Sequence, residues 1–166
     1  MLYQTGFSLI ELVTVIVLLG ILSAVAANRY VSVDASARKA DIQALNGAVN
    51  TALMSTKAMV QLNGAGDTRS GDPANITWVN LNANTAIRVW QGYPDRWCDG
   101  VGMLLEGASV PAGGCYLSSN AVAYGSFNFY GYGNAQIPNG SAGWRIESAP
   151  NPTLCSVEYQ YNGTGT

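Results

Sequence analysis

Histidine is absent from this chain, and charge is scarce: eight Lys and Arg and ten Asp and Glu make up 11% of 166 residues, for a net charge of −2. Without histidine the commonest general base at neutral pH is missing. No GxSxG, HExxH or phosphate-loop spacing supplies another catalytic frame. The chain is therefore read as a non-enzyme that takes no cofactor. The GYG tripeptide at Gly131 to Gly133 lacks the third glycine and following helix of a nucleotide site, so it reads as a turn. Few, unclustered charges leave no electrostatic footprint for nucleic acid or anionic lipid. Three separated cysteines with no histidine make a poor zinc site. Asp67 with Asp72, and Asp95 with Asp99, are the candidate calcium ligands, but no dense run of oxygen donors surrounds them. Solvated loop carboxylates are the default reading of all four. Proline is also missing before Pro73, so nothing of that kind interrupts a helix over residues 7–62.

What the N-terminal part has instead is a long apolar run, Phe7 to Ala27, FSLIELVTVIVLLGILSAVAA, with Gly6 directly before it and Glu11 as its one charged side chain. About 20 apolar residues cross the hydrocarbon of a bilayer as a helix. A carboxylate in that medium costs roughly 2.5 to 3.5 kcal/mol on insertion scales, so an intramembrane acid is functional by default and needs a partner. No base within the run supplies one. A secretory signal peptide has an apolar stretch of about 7 to 15 residues with its cleavage site beyond it. A plain anchor has no use for Glu11. Neither accounts for Gly6, Phe7 and Glu11 together.

Past the run, Ile42, Leu45, Val49, Leu53, Thr56 and Val60 recur at three- and four-residue steps, an amphipathic stripe one face wide. Asn63 and Gly64 supply a stop signal. A helix over residues 7–62 would extend about 80 Å at about 1.5 Å per residue. Gly47 and its Ala-rich neighbours either admit another element closely or are tolerated on an exposed face. After Gly64 the composition turns to Gly, Asn, Ser and aromatic residues, which suits strands and turns. Residues 63–75 read as a connecting loop. Strands are predicted at Thr77 to Leu81, Ala86 to Trp90, Ser126 to Tyr130, Gly143 to Glu147 and Cys155 to Tyr161, with a short helix at Asp99 to Glu106. The alternations Phe127/Phe129, Trp144/Ile146 and Val157/Tyr159/Tyr161 suit sheets with one covered face. The stripe of the long helix is the natural cover, giving an α+β fold: a long N-terminal helix packed on a C-terminal antiparallel sheet. The aromatic cluster from Tyr124 to Gly133 reads as part of the buried sheet face rather than an adhesive surface. The N-x-S/T triplets at Asn75, Asn139 and Asn162 read as turns in a Gly- and Asn-rich chain.

Residues Gly6 to Leu22, GFSLIELVTVIVLLGIL, resemble the N-terminal segment of type IV pilins and their pseudopilin relatives at almost every position. The resemblance implies a leader at residues 1–6, cleavage between Gly6 and Phe7 by a prepilin peptidase, and methylation of the new N-terminus at Phe7. It implies that residues 7–27 wait in the membrane and later form a filament core, with a globular head over residues 63–166. Glu11 would pair with the Phe7 ammonium of a neighbouring subunit, which gives two charges in an apolar bundle the pairing that burial demands. Gly20, another assembly position of the family, is retained. Two features depart from the pattern. The leader MLYQTG has no Lys or Arg, so the positive-inside rule taken literally would place Arg29, Arg38 and Lys39 in the cytoplasm. The cysteines and the resemblance argue for an exported head instead, and a start codon upstream would restore a basic leader. Asn28 stands where many members carry proline. The stretch from Gly20, which often loses its helix in filaments of the family, therefore has no proline to mark its far end. In the head, Gly92 to Pro94 (GYP), Gly100 to Leu105 (GVGMLL) and Cys155 to Tyr161 (CSVEYQY) look like the mannose-sensitive haemagglutinin branch of the type IVa pilins.

Cys98, Cys115 and Cys155 all fall in the exported part, where disulfides are permissible. Their odd number leaves one thiol free or paired between chains. The resemblance implies a disulfide closing a C-terminal loop, assigned to Cys115 with Cys155; Cys98 with Cys155 is the main competitor, and spacing does not choose between them. A loop of about 40 residues would contribute on the order of 4 kcal/mol. By resemblance the chain is a structural subunit of a helical type IV pilus, held in the bacterial inner membrane before assembly and in an extracellular filament after it. The implied partners are identical subunits, the prepilin peptidase and methyltransferase, and an inner-membrane assembly platform. Attachment, motility and DNA uptake are properties of such filaments as wholes. Two other readings stand beside it: a pseudopilin of a type II secretion machine, and a membrane-anchored monomeric binding domain in which Glu11 is incidental.

Overall fold

A computed structural model describes residues 6–64, 66–105, 107–110, 115 and 122–160. One helix, α1, runs from Leu9 to Asn63 without a break at Gly20 or Asn28. Its end lies where the sequence places it, since Gly64 takes φ +80°, the left-handed turn that closes helices at little steric cost. Two compact units divide the chain, one ending at Ala40 and the other beginning at Asp41. In the first, residues 6–33 are exposed without exception, and Arg38 pairs with Asp34 one turn earlier at 2.7 Å.

Among the described residues, the second unit holds seven strands in two antiparallel sheets. Strands β1 (Ile76–Asn82), β2 (Thr85–Trp90) and β3 (Tyr93–Pro94) form one sheet in that order. Strands β4 (Val122–Tyr124), β5 (Phe127–Tyr130), β6 (Ala142–Arg145) and β7 (Ser156–Tyr159) form the other. The five expected strands are present within a residue or two, Tyr161 at the end of the last lying outside the described residues, and the α+β architecture is the one expected. Strands β3 and β4 escaped the sequence reading, and the expected helix at Asp99 to Glu106 is a single 3-10 turn over Val101–Met103. The β2–β3 hairpin closes through Gln91 and Gly92, both at positive φ (50° and 86°), between the paired residues Trp90 and Tyr93. Such a two-residue loop demands positive φ at both positions, and Asn-Gly is its usual signature. Gln91 hides that signature.

Packing follows from strand register. Val122 lies opposite Phe129, Phe129 opposite Trp144, and Trp144 opposite Val157, so one row of large apolar side chains crosses the four-stranded sheet. That row meets Leu45 and Val49 of α1, together with Cys98, Val101 and Cys115, in the main core. The rings of Phe129 and Trp144 stand 5.0 Å apart at 59°, a tilted arrangement favoured by their quadrupoles. Val79, Ile87 and Val89 of the three-stranded sheet form a second cluster, covered by Met59 and Val60 of α1 and by Leu81, Met103 and Leu104. The stripe predicted on α1 is thus the buried face. Thr56 belongs to it because its hydroxyl donates to the Ala52 carbonyl at 2.9 Å, which satisfies the one polar atom it brings inside. Each large side chain so buried contributes about 1.5 to 3 kcal/mol.

The disulfide joins Cys98 to Cys115 across a Cα separation of 5.2 Å, which corrects the assignment to Cys115 with Cys155. The reason is location. Cys98 and Cys115 are both buried in the main core, whereas Cys155 is a free, half-exposed thiol in the turn before β7. There its carbonyl accepts the Ile146 amide at 3.0 Å.

Candidate functional site

The residues singled out near the N-terminus lie at and just beyond the start of α1. Gly6, Phe7 and Ser8 precede the helix in irregular conformation, and the Phe7 side chain is 84% exposed. The Ser8 amide donates to Glu11 Oε2 at 2.8 Å, so the carboxylate satisfies one of the donors that every helix start leaves without an intrahelical partner. This is half of a capping box. Its signature, Ser8-x-x-Glu11, is legible in the sequence and escaped the reading above. Glu11 also sits in the first turn, where the helix dipole favours negative charge. Gly20 is exposed with nothing close to it. Around these residues Leu9, Ile10, Leu12, Ile16, Leu18, Leu19, Ile21 and Leu22 are each more than half exposed. Within the first unit this apolar surface has no cover. By length and composition α1 is able to cross a membrane.

The head carries a different kind of site. Asp95 and Asp99, expected as solvated loop carboxylates, are buried to 2% and 8% exposure. Arg88 of β2 draws them in: its Nε lies 3.2 Å from Asp95 Oδ2 and its Nη1 lies 4.0 Å from Asp99 Oδ2. The first contact is an ion pair without hydrogen-bond alignment. Backbone bonds hold the three residues in place. The Arg88 amide donates to the Asp99 carbonyl at 2.8 Å, the Asp95 amide to the Arg88 carbonyl at 2.9 Å, and the Val101 amide to the Asp95 carbonyl at 2.7 Å. Burial raises the Asp99 carboxyl to about 6, with Arg88 opposing and Asp95 adding to the rise. Burial raises Asp95 as well, against its hydrogen bond from the Arg96 amide and the nearby arginines. A sequence signal existed, since Arg88 interrupts the otherwise apolar TAIRVW strand and a buried arginine must find carboxylates.

Aromatic rings hold the other arginines of the head. Arg69 stacks on Trp78 at 3.6 Å, and the indole N–H of Trp78 donates to Asp72 Oδ2 at 2.7 Å; together they pin the connector after α1 onto β1. Arg96 stacks on Tyr132 at 3.6 Å and faces Trp90 at 5.2 Å. Arg145 forms a fork with Glu147, Nε to Oε1 at 2.6 Å and Nη2 to Oε2 at 2.9 Å, and Tyr130 donates to the same carboxylate at 2.7 Å. These bonds, that from Arg145 foremost, lower the Glu147 carboxyl below its usual range. Within the aromatic cluster, Phe129 and Tyr130 are buried while Tyr132 is 45% exposed, so its main part is sheet core. Asn75 and Asn139 lie in turns, Asn139 at φ 59°; Asn162 lies outside the described residues. Among the described residues no group of three or more carboxylate, thiol or imidazole side chains is arranged to hold a metal ion.

Residues 1–27 match the family model described as the prokaryotic N-terminal methylation motif. That match supports a type IV pilin-like or pseudopilin protein, and implies processing by a prepilin peptidase and insertion in a membrane before assembly. No curated protein and no solved structure matches the chain significantly.

Proposed function

We propose that the chain is a filament-forming type IV pilin, of the type IVa class and nearest its mannose-sensitive haemagglutinin branch, that polymerises from the inner membrane into an extracellular helical filament. The observation that carries this reading is the bare apolar surface of residues 7–33 around one carboxylate, joined to a methylation motif. Lipid covers that surface first. On extraction the same side chains pack against those of other subunits, so contact with lipid is replaced by helix packing. The irregular segment at Gly6 to Ser8 offers the peptidase an unfolded bond between Gly6 and Phe7. Cleavage leaves a cationic amine at Phe7, and methylation keeps that charge. In the filament Glu11 exchanges the neutral Ser8 amide for the ammonium of a neighbouring Phe7, so that its charge meets an opposite charge inside the apolar bundle. Gly20 lowers helix stability locally by about 1 kcal/mol and lets α1 yield during assembly. Motor action belongs to an ATPase elsewhere, since no phosphate loop occurs in the sequence.

The test is Glu11→Ala in cells. Surface filaments should fall at least tenfold while the processed, N-methylated subunit accumulates in the inner membrane. Filaments at wild-type abundance would remove the role assigned to Glu11, and mass spectrometry finding an intact leader on the mature chain would remove the processing step. Short periplasmic assemblies with secretion lost, in place of surface fibres, would identify a pseudopilin.

A further inference from the structure

We propose that Arg96 is the cation of a carboxylate-binding site on the head, where aromatic faces hold its guanidinium in place and its terminal nitrogens meet an incoming planar anion. The site lies wholly in the second unit. Arg96 stacks on Tyr132 at 3.6 Å and faces Trp90 at 5.2 Å. Ring quadrupoles attract a cation but carry no net charge to neutralise it. Among the described residues Arg96 makes no ion pair, and its buried Nε has no hydrogen-bond partner. A buried donor left unmade is costly, so this guanidinium retains both charge and hydrogen-bonding capacity for a ligand.

An open cavity of about 190 Å³ adjoins it, lined also by Pro73, Asn75, Trp97, Arg88 and Asp95. Arg88 and Asp95 are buried to 9% and 2% exposure, whereas Arg96 is half-exposed and is the charge that the cavity presents. Asp95 feels the Arg96 charge without bonding to its guanidinium: its Oδ1 accepts the Arg96 backbone amide at 2.8 Å, and its Oδ2 faces Arg88 at 3.2 Å. The cavity is smaller than the roughly 300 to 1,000 Å³ of whole-ligand pockets, so it takes a single group. One part-exposed cation suits a monoanion, and a planar guanidinium suits a carboxylate through two parallel N–H···O bonds. A free organic acid and an acidic side chain of another polypeptide both present that group.

Three segments fix the site before a ligand arrives. Trp90 ends β2, where it pairs with Ile76 of β1 and Tyr93 of β3. Tyr132 follows β5, and its amide donates to the Arg96 carbonyl at 3.2 Å. Gly131 permits that approach, because a Cβ there would stand 2.9 Å from the Trp97 ring. The ring that carries the guanidinium is therefore tied to the backbone of Arg96 itself. A side chain held in this way gives up little further rotamer freedom on binding, which is the contribution of preorganisation to affinity. Arg69 is also stacked on a ring, but it is exposed and borders a wider cavity of about 500 Å³.

The experiment follows the Arg96 Nε–H and the Trp90 indole N–H by nitrogen-15 nuclear magnetic resonance, with the full chain in detergent micelles at neutral pH. Sodium acetate is titrated against sodium chloride at matched ionic strength. Acetate should shift both signals and saturate, with a half-point at roughly 10 to 100 mM, the range of one bidentate charge-assisted pair; chloride should not. A blocked tripeptide whose one free carboxylate is a glutamate side chain forms the second arm, with its glutamine counterpart as control. Tighter binding of the glutamate peptide than of acetate assigns the site to an acidic polypeptide segment, and equal or weaker binding assigns it to a free acid. Arg96→Gln should abolish the Trp90 response. Tyr132→Leu keeps the charge but frees the guanidinium, and should weaken acetate at least about threefold. The wild-type titration needs no variant to fold. An acetate response that is linear and equal to that of chloride overturns the site, as does saturable binding that survives Arg96→Gln.

Discussion

At the scale of single residues, Cys98, Cys115 and Cys155 separate chemistry from location. All three are equally available to pair in an oxidising compartment, and only burial distinguishes them. The bond between Cys98 and Cys115 closes a short loop, 17 residues in sequence, and such a loop contributes about 3 kcal/mol through the unfolded chain. Cys98→Ser should therefore lower the stability of the head by about 3 kcal/mol, while Cys155→Ser, at a half-exposed turn, should change it by less than about 0.5 kcal/mol. Chemical denaturation of the two variants checks the pair, and the reverse order would restore a Cys155 disulfide. Arg88 shows the same principle for charge. Asp95 and Asp99 read as loop residues in one dimension, yet one arginine inside an apolar strand converts them into a buried cluster.

Elements depend on different information. Helix α1 was legible almost to the residue, because a proline-free stretch with a regular apolar stripe and a terminal Asn-Gly leaves few alternatives. Strands β1, β2, β5, β6 and β7 were legible from alternation and turn residues. Strand β3 was not, being two residues long and closed by Gln91 and Gly92, whose left-handed conformation carries no mark in a Gln-Gly pair. The strand exists because Tyr93 and Pro94 pair with Trp90 and Val89, and Pro94 is tolerated there because β3 ends its sheet. Gly92→Ala tests the hairpin. Holding an L side chain at φ 86° costs about 1 to 2 kcal/mol. The variant should unfold at correspondingly lower denaturant, with near-UV circular dichroism changed around Trp90; an unchanged midpoint would mean that the turn adapts.

At the scale of the molecule, two compact units meet different surroundings. The second has its own core and both sheets, so deletion of residues 1–28 should yield a soluble protein. Sedimentation and near-UV circular dichroism matching the full chain are the expected results, and aggregation would show that the head needs the apolar segment to fold. The pH response also belongs to this scale. Glu147 is lowered by its bond to Arg145, and Glu158 by its bonds from Ser141 and Gln160. Both contribute stability above their ordinary value of 4.5 that fades as pH falls. Asp99 acts in the opposite sense from about 6 downward. The thermal midpoint of the head should therefore be highest at or below about pH 4.5 and fall from there to about pH 6, and a midpoint climbing steadily from pH 5 to 8 would contradict these assignments.

By itself the sequence determined the helix, its membrane-length apolar half, the conflict posed by Glu11, the methylation motif and most strands. Each of these depends on near neighbours along the chain, through periodicity, capping and transfer of local surface from water. Tertiary structure decided which cysteines pair, that the strands divide into two sheets, and that Asp95 and Asp99 are buried on Arg88. These depend on which distant residues come to share one enclosed volume, and distance in space is not encoded by spacing along the chain.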